Sequence, residues 1–140
     1  MKGHGGEKWR QSAHRNLETA LLLHKTTQDY RAVYQHAGSA IEHLICAIGV
    51  RARGLMDVPR DEHGGHWHDL EFSMRRRELL ALLLLDCAKD RLLRDAWLVV
   101  KDWASDARYP STSLSRREAQ DMLNGAKRVF GWLLNRYETI

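Results

Sequence analysis

The chain has 140 residues, room for one domain built around one core. Hydrophobic residues make up 44% and charged residues 29%, with only two prolines, which excludes a disordered tail and suits long helices with polar faces. Lys and Arg number 22 against 18 Asp and Glu, a net +4 whose sign is compatible with nucleotide or RNA phosphates without specifying them.

In chain order, the first predicted helix runs from about Glu7 to about Lys25, because Trp9, Ala13, Leu17, Ala20 and Leu21 recur on one face. Gly3, Gly5 and Gly6 make residues 1–6 a flexible lead. Thr27 is placed to cap a second helix, whose stripe includes Val33, Ala37, Ile41, Leu44 and Ile48. That helix reaches about Arg53, and Gly54 ends it. Residues 54–68 read as a loop, with Pro59, Gly64 and Gly65 and no periodicity.

Asp69 opens a third helical stretch, with a break expected near Ser73; Arg75, Arg76 and Arg77 then precede the apolar run Leu79 to Leu85. From Lys89 another stripe carries Leu92, Leu93, Ala96, Trp97, Val100 and Trp103. Pro110 disfavours helix at Tyr109. Ser115 and Glu118 have capping-box spacing for a last helix that buries Met122, Val129 and Leu133. No strand pattern occurs, so the expected fold is all-α, an up-and-down bundle of four to five helices in a single domain over 1–140. Its predicted core holds Ile41, Leu44, Trp97, Val100, Val129 and Leu133.

Cys46 and Cys87 sit in apolar surroundings and read as buried thiols of a reducing compartment. The start has no apolar stretch, and the longest apolar run is too short to span a bilayer. A cytoplasmic protein without membrane contact is expected.

Two clusters invite chemistry. Between Asp61 and Leu70 stand His63, His66 and His68, three imidazoles that with Asp61, Glu62 or Asp69 form a zinc-type donor set. The Gly64–Gly65 link is a floppy scaffold for a metal, so the expected role of this stretch is helix entry, with Asp69 as the cap. No metal or cofactor is expected. Arg75 to Arg77 read as a solvated face, with a phosphate-contacting patch as the sharper alternative, joined by Arg108, Arg116 and Arg117.

Three stretches together carry a family resemblance: WRQSAHRNLETA, YRAVYQHAGSAIEHLICAIG, and HDL followed some way on by ARYP. Their order and spacing resemble the HEPN (higher eukaryotes and prokaryotes nucleotide-binding) domain, over about Trp9 to Leu134. The resemblance implies a helical bundle, often a homodimer, in a family that includes RNA-cleaving toxins of toxin–antitoxin type, inactive relatives, and partners of minimal nucleotidyltransferases. Ribonuclease members carry a late Arg, four to six residues, then His, which would hold the scissile phosphate and move a proton. Here Arg108 has no such partner, because every histidine lies at or before His68. The spacing occurs at Arg31–His36 and Arg60–His66, both at the wrong place. Where relatives often have two lysines, this chain has His43 and Cys46, while Glu42 remains.

The expected function is therefore a non-catalytic module that binds nucleotide or RNA, or pairs with a nucleotidyltransferase-type partner. Its ligand-binding candidates are Arg108, Tyr109, Asp69, His68, Arg116 and Arg117. One alternative is a ribonuclease with a displaced set such as His36, His43 or His68 with Arg108. Another is a structural dimerisation domain.

Overall fold

The computed structural model describes residues 4–59, 69–103 and 114–140. Among them every regular element is an α-helix: α1 (His4–Thr26), α2 (Tyr30–Ala52), α3 (Leu70–Arg76), α4 (Leu80–Cys87), α5 (Arg91–Val100) and α6 (Arg116–Thr139). None is long and apolar enough to cross a membrane.

Four helix starts have the same local cause. Asp29, Asp69, Asp90 and Ser115 each accept a backbone N–H three residues on, from Ala32, Phe72, Leu93 and Glu118, at 3.0–3.1 Å. Each bond satisfies one donor that the first turn leaves orphaned. The Glu118 carboxylate accepts in turn from the Ser115 N–H at 3.1 Å, which completes the predicted capping box. Asp29 rather than Thr27 caps α2; the Thr27 hydroxyl instead donates back to the Leu23 carbonyl at the end of α1. Helix α1 starts at His4, ahead of the expected Glu7. Gly6 lies within it and is buried, where a Cβ would stand only 3.1 Å from the Ala47 carbonyl oxygen.

Two helices end alike. In α2 the Gly54 N–H donates to Arg51 O and the Leu55 N–H to Val50 O; in α3 the Glu78 N–H donates to Arg75 O and the Leu79 N–H to Met74 O. Both are Schellman endings, which place the residue just past the cap in the left-handed region. That residue is Gly54 (φ 65) in the first case and Glu78 (φ 60) in the second. Glycine adopts this conformation without penalty, whereas a side chain costs about 1–2 kcal/mol there. The turn at Glu78, not Ser73, splits the third predicted stretch into α3 and α4, giving six helices among the described residues where four to five were expected.

Helix α1 runs antiparallel to α2, joined to it by residues 27–29. Helix α6 lies along α2 in the same direction: Arg51 stacks on Tyr137 at one end, and His24 on α1 bonds Gln120 at the other. Helix α5 packs on α6, α4 on α5, and α3 bridges α2 to α4. All six predicted core residues are buried. Burying one Leu or Ile stabilises by about 1.5–3 kcal/mol. Both cysteines are buried and outside any disulfide, and burial raises the Cys87 thiol above its ordinary pKa. One residue of the predicted fifth-helix stripe departs: Leu92 is 60% exposed.

Candidate functional site

Several of the candidates lie outside the described residues: Arg108, Tyr109 and His68, with His63 and His66 of the metal alternative. Among the described residues, no group of three His, Cys, Asp or Glu side chains is placed to hold a metal ion. Asp69 is exposed and its Oδ1 accepts the Phe72 N–H at 3.0 Å, the helix-entry role expected of it. Arg116 and Arg117 share a shallow open recess with Gln120 and Asp121 at the start of α6. Asp121 lies 4.0 Å from the Arg117 guanidinium and Glu118 completes the cap, so two carboxylates offset two arginines there.

His36 and His43 are brought together, seven residues apart on the α2 face that meets α1. Asn16 of α1 sits between them. Its Oδ1 accepts from His36 Nδ1 at 2.9 Å, and its Nδ2 donates to the Ser12 carbonyl at 2.9 Å and, weakly, to His43 Nδ1 at 3.4 Å. The Ser12 hydroxyl is hydrogen-bonded to the same Nδ1 at 2.7 Å. The Asn16 carbonyl oxygen calls for a proton on His36 Nδ1, while the Ser12 hydroxyl and the Asn16 amide both meet His43 at Nδ1 and leave its Nε2 facing Glu42. That Nε2 lies 3.7 Å from Oε1 of Glu42, the one buried charged side chain among the described residues. The Trp9 ring edge closes the seam against His43.

Hydroxyl, imidazole and carboxylate in that order resemble a nucleophile with its base. Acyl transfer also needs donors aimed at a developing oxyanion. Ser12 stands in the middle of α1, where backbone N–H groups are already bonded to carbonyls four residues back. The seam is thus suited to holding α1 in register on α2, since buried polar atoms left unpaired there would each cost about 1–3 kcal/mol.

A different place gathers positive charge. Arg53 at the end of α2 and Arg76 and Arg77 at the end of α3 line an open cleft of ≈ 480 Å³, with Glu78, Ile48, Gly49 and Ala52. Three features position it. The two Schellman endings bring both chain reversals to one side. The Arg77 side chain lies across Gly49, where a Cβ would stand 2.7 Å from its Cδ. The Arg76 guanidinium lies over the Phe72 ring at 4.6 Å, a cation–π contact that helps hold it at the cleft.

The electrostatics are a small sum of large terms. Three guanidiniums contribute +3 and Glu78 contributes −1, and each helix C-terminus adds about −0.5. Glu78 and the helix ends offset part of that charge, in a cleft whose donors are planar forks. Such forks match phosphate oxygens in bidentate fashion. The Arg75–Arg77 run marks part of this site in the sequence, but Arg53 and Gly49 carry no such mark. The available signal is a glycine late in α2, one helical stripe along from Glu42. No family model, curated protein or solved structure matches the chain.

Proposed function

We propose that this chain is a small HEPN-like helical module that binds phosphate groups of a nucleotide or RNA strand and does not cleave them. The observation that carries the reading is the convergence of Arg53, Arg76 and Arg77, from two helix ends, on one open cleft. The HEPN-type motif on α2 adds support, because its retained Glu42 is buried at the α1 contact rather than offered to a ligand. Loss of the usual late Arg–His pair agrees with binding rather than cleavage.

Glu78 gives the reading a second edge. It holds a left-handed backbone at a cost and sets a negative charge among the arginines. Strain kept at such a position points to a use. A carboxylate beside guanidiniums raises selectivity by repelling anions that do not displace it.

Fluorescence anisotropy with a labelled single-stranded RNA, and separately with ATP, tests the reading. Arg53→Glu with Arg76→Glu should weaken RNA binding at least tenfold. It should also flatten the slope of log K against log salt by about 0.7 for each phosphate no longer neutralised. Glu78→Gly should tighten binding and raise stability by up to about 1 kcal/mol, as strain and repulsion leave together. Unchanged affinity in the double variant would sink the cleft as the site. RNA turnover by metal-free protein, abolished in His36→Ala or His43→Ala, would replace binding with ribonuclease chemistry.

A further inference from the structure

An open groove of ≈ 730 Å³ runs between α5 and α6. Its α5 wall carries Leu92 and Val99, 60% and 43% exposed and seven residues apart, so they lie along one ridge with Asp95 beside them. Its α6 wall carries Asp121, Lys127 and Arg128 and ends at Gly131. From Asp121 to Gly131 is about 15 Å at 1.5 Å per residue, the length of nearly three helical turns.

The charges on this face are not all spoken for. Both carboxylates have arginine partners on their own helices: Asp95 has Arg91 at 3.8 Å and Arg94 at 3.7 Å, and Asp121 has Arg117 at 4.0 Å. Asp90 and Glu118, the acids at the two helix starts, accept backbone N–H groups there. Lys127 and Arg128 are exposed, and among the described residues neither is paired with a carboxylate. The surplus positive charge therefore lies at the Lys127–Arg128 step.

Gly131, one turn on, is exposed, and a Cβ built there meets nothing within 4 Å. Glycine inside a helix is unfavourable relative to alanine, and no neighbour among the described residues demands it. It leaves a floor on which another backbone can approach closely.

We infer that this groove docks an acidic amphipathic helix of a different protein. A cleft between two packed helices fits a third, laid along it for about two to three turns. Its apolar residues, at i, i+3 or i+4 and i+7, rest on the ridge of Leu92 and Val99, which has the same spacing. Its Asp or Glu side chains meet Lys127 and Arg128. Asp95 and Asp121 repel acidic residues placed opposite them, and so fix its register. A nucleic-acid strand suits the face less. Among the described residues no aromatic ring lines the groove for a base to stack on, and Asp95 and Asp121 oppose a continuous row of phosphates. The inference is independent of the phosphate cleft, which lies on α2 and α3.

A displayed library of helix-forming peptides, about twelve residues long to span the groove, selected on the full chain, tests it. Enriched sequences should carry Asp or Glu beside apolar residues at helical spacing. Synthetic copies, followed by fluorescence anisotropy, should bind about tenfold or more weakly to Lys127→Glu with Arg128→Glu. Gly131→Leu should weaken them comparably while its thermal midpoint stays equal to or above the parent's, which separates a blocked groove from a damaged fold. Labelled single-stranded RNA should not distinguish the parent from the charge-reversed variant. Enrichment without acidic residues overturns the proposal, and so do peptides indifferent to these substitutions. RNA affinity that falls on charge reversal while the peptides hold gives the face to a nucleic acid instead. A parent dimer in sedimentation velocity that Gly131→Leu breaks gives it to a second copy.

Discussion

Helix α2 faces two unlike neighbours. Toward α1 it presents His36 and His43, tied to Asn16 and Ser12 by directional bonds. On other sides it presents Gly38 and Gly49, each pressed under a large side chain, Trp103 and Arg77 respectively. The two kinds of contact secure different things. Hydrogen bonds set register, since they fail if α1 slides, but each is worth only about 0.5–1.5 kcal/mol net. Steric fit tolerates no added atom, since the surrounding core is close-packed. The Gly38 contact, under a buried ring that cannot yield, should therefore be the most fragile of these, while the flexible Arg77 over Gly49 can give way.

The largest expected effect breaks that fit. At Gly38 a Cβ would fall inside the Trp103 indole, well within van der Waals contact. The ring is buried and bulky, so it has no cheap way to yield. Gly38→Ala should cost about 3 kcal/mol, the upper range for overpacking a core. Urea denaturation monitored by tryptophan fluorescence measures it. An unchanged midpoint would mean that Trp103 does not cover α2. Gly49→Ala supplies the contrast, because Arg77 is a flexible chain that can swing aside. It should leave stability nearly intact and act instead on anion binding, by displacing a guanidinium of the cleft.

The next effect tests the polar side. Asn16→Leu removes the bridge and leaves His36 Nδ1 without its acceptor and the seam half-satisfied. Stability should fall by about 1–3 kcal/mol, less than at Gly38. A fall at Asn16 that exceeds the one at Gly38 would invert the comparison.

These two sides are not equally legible in the sequence. The apolar stripes follow the helical period, so the six predicted core residues can be read from spacing, and all are buried. The capping box at Ser115 and the Asp69 cap are short-range, and both are visible. The start of α2 misleads at Thr27 because two capping side chains stand within three residues, and only the geometry shows Asp29 accepting the Ala32 N–H. The break at Glu78 is invisible, since a non-glycine residue in the left-handed region gives no compositional signal. The cleft is half visible for a related reason. Arg76 and Arg77 adjoin in sequence, whereas Arg53 reaches them only through the packing of α3 on α2. Leu92 fits the stripe by spacing yet is exposed, because periodicity gives a face and not what covers it.

The smallest expected effect concerns a third tether of α1, this time to α6. The Tyr137 hydroxyl donates to Glu7 Oε2 at 3.1 Å, and Arg10 pairs with the same carboxylate. The Arg10 hydrogen bond holds the Glu7 carboxyl at about 2, against an ordinary 4.5; burial opposes this and the Tyr137 hydroxyl reinforces it. A carboxyl whose pKa is lower in the folded state than in the unfolded state stabilises the fold above its unfolded value. That contribution fades as pH falls from about 4.5 through about 2. The Glu7 side chain is 43% exposed, so solvent screening limits the contribution to about 0–1 kcal/mol whatever the shift suggests. Glu7→Gln should thus cost less than about 1 kcal/mol at neutral pH. The gap between variant and parent should then close on acidification across that window, because the parent's carboxyl becomes neutral like the amide. Urea midpoints of both proteins at a series of pH values decide it. A gap that persists unchanged to the acid end would show that Glu7 acts by packing and hydrogen bonding alone, and would move this tether from the electrostatic class into that of the Asn16 seam.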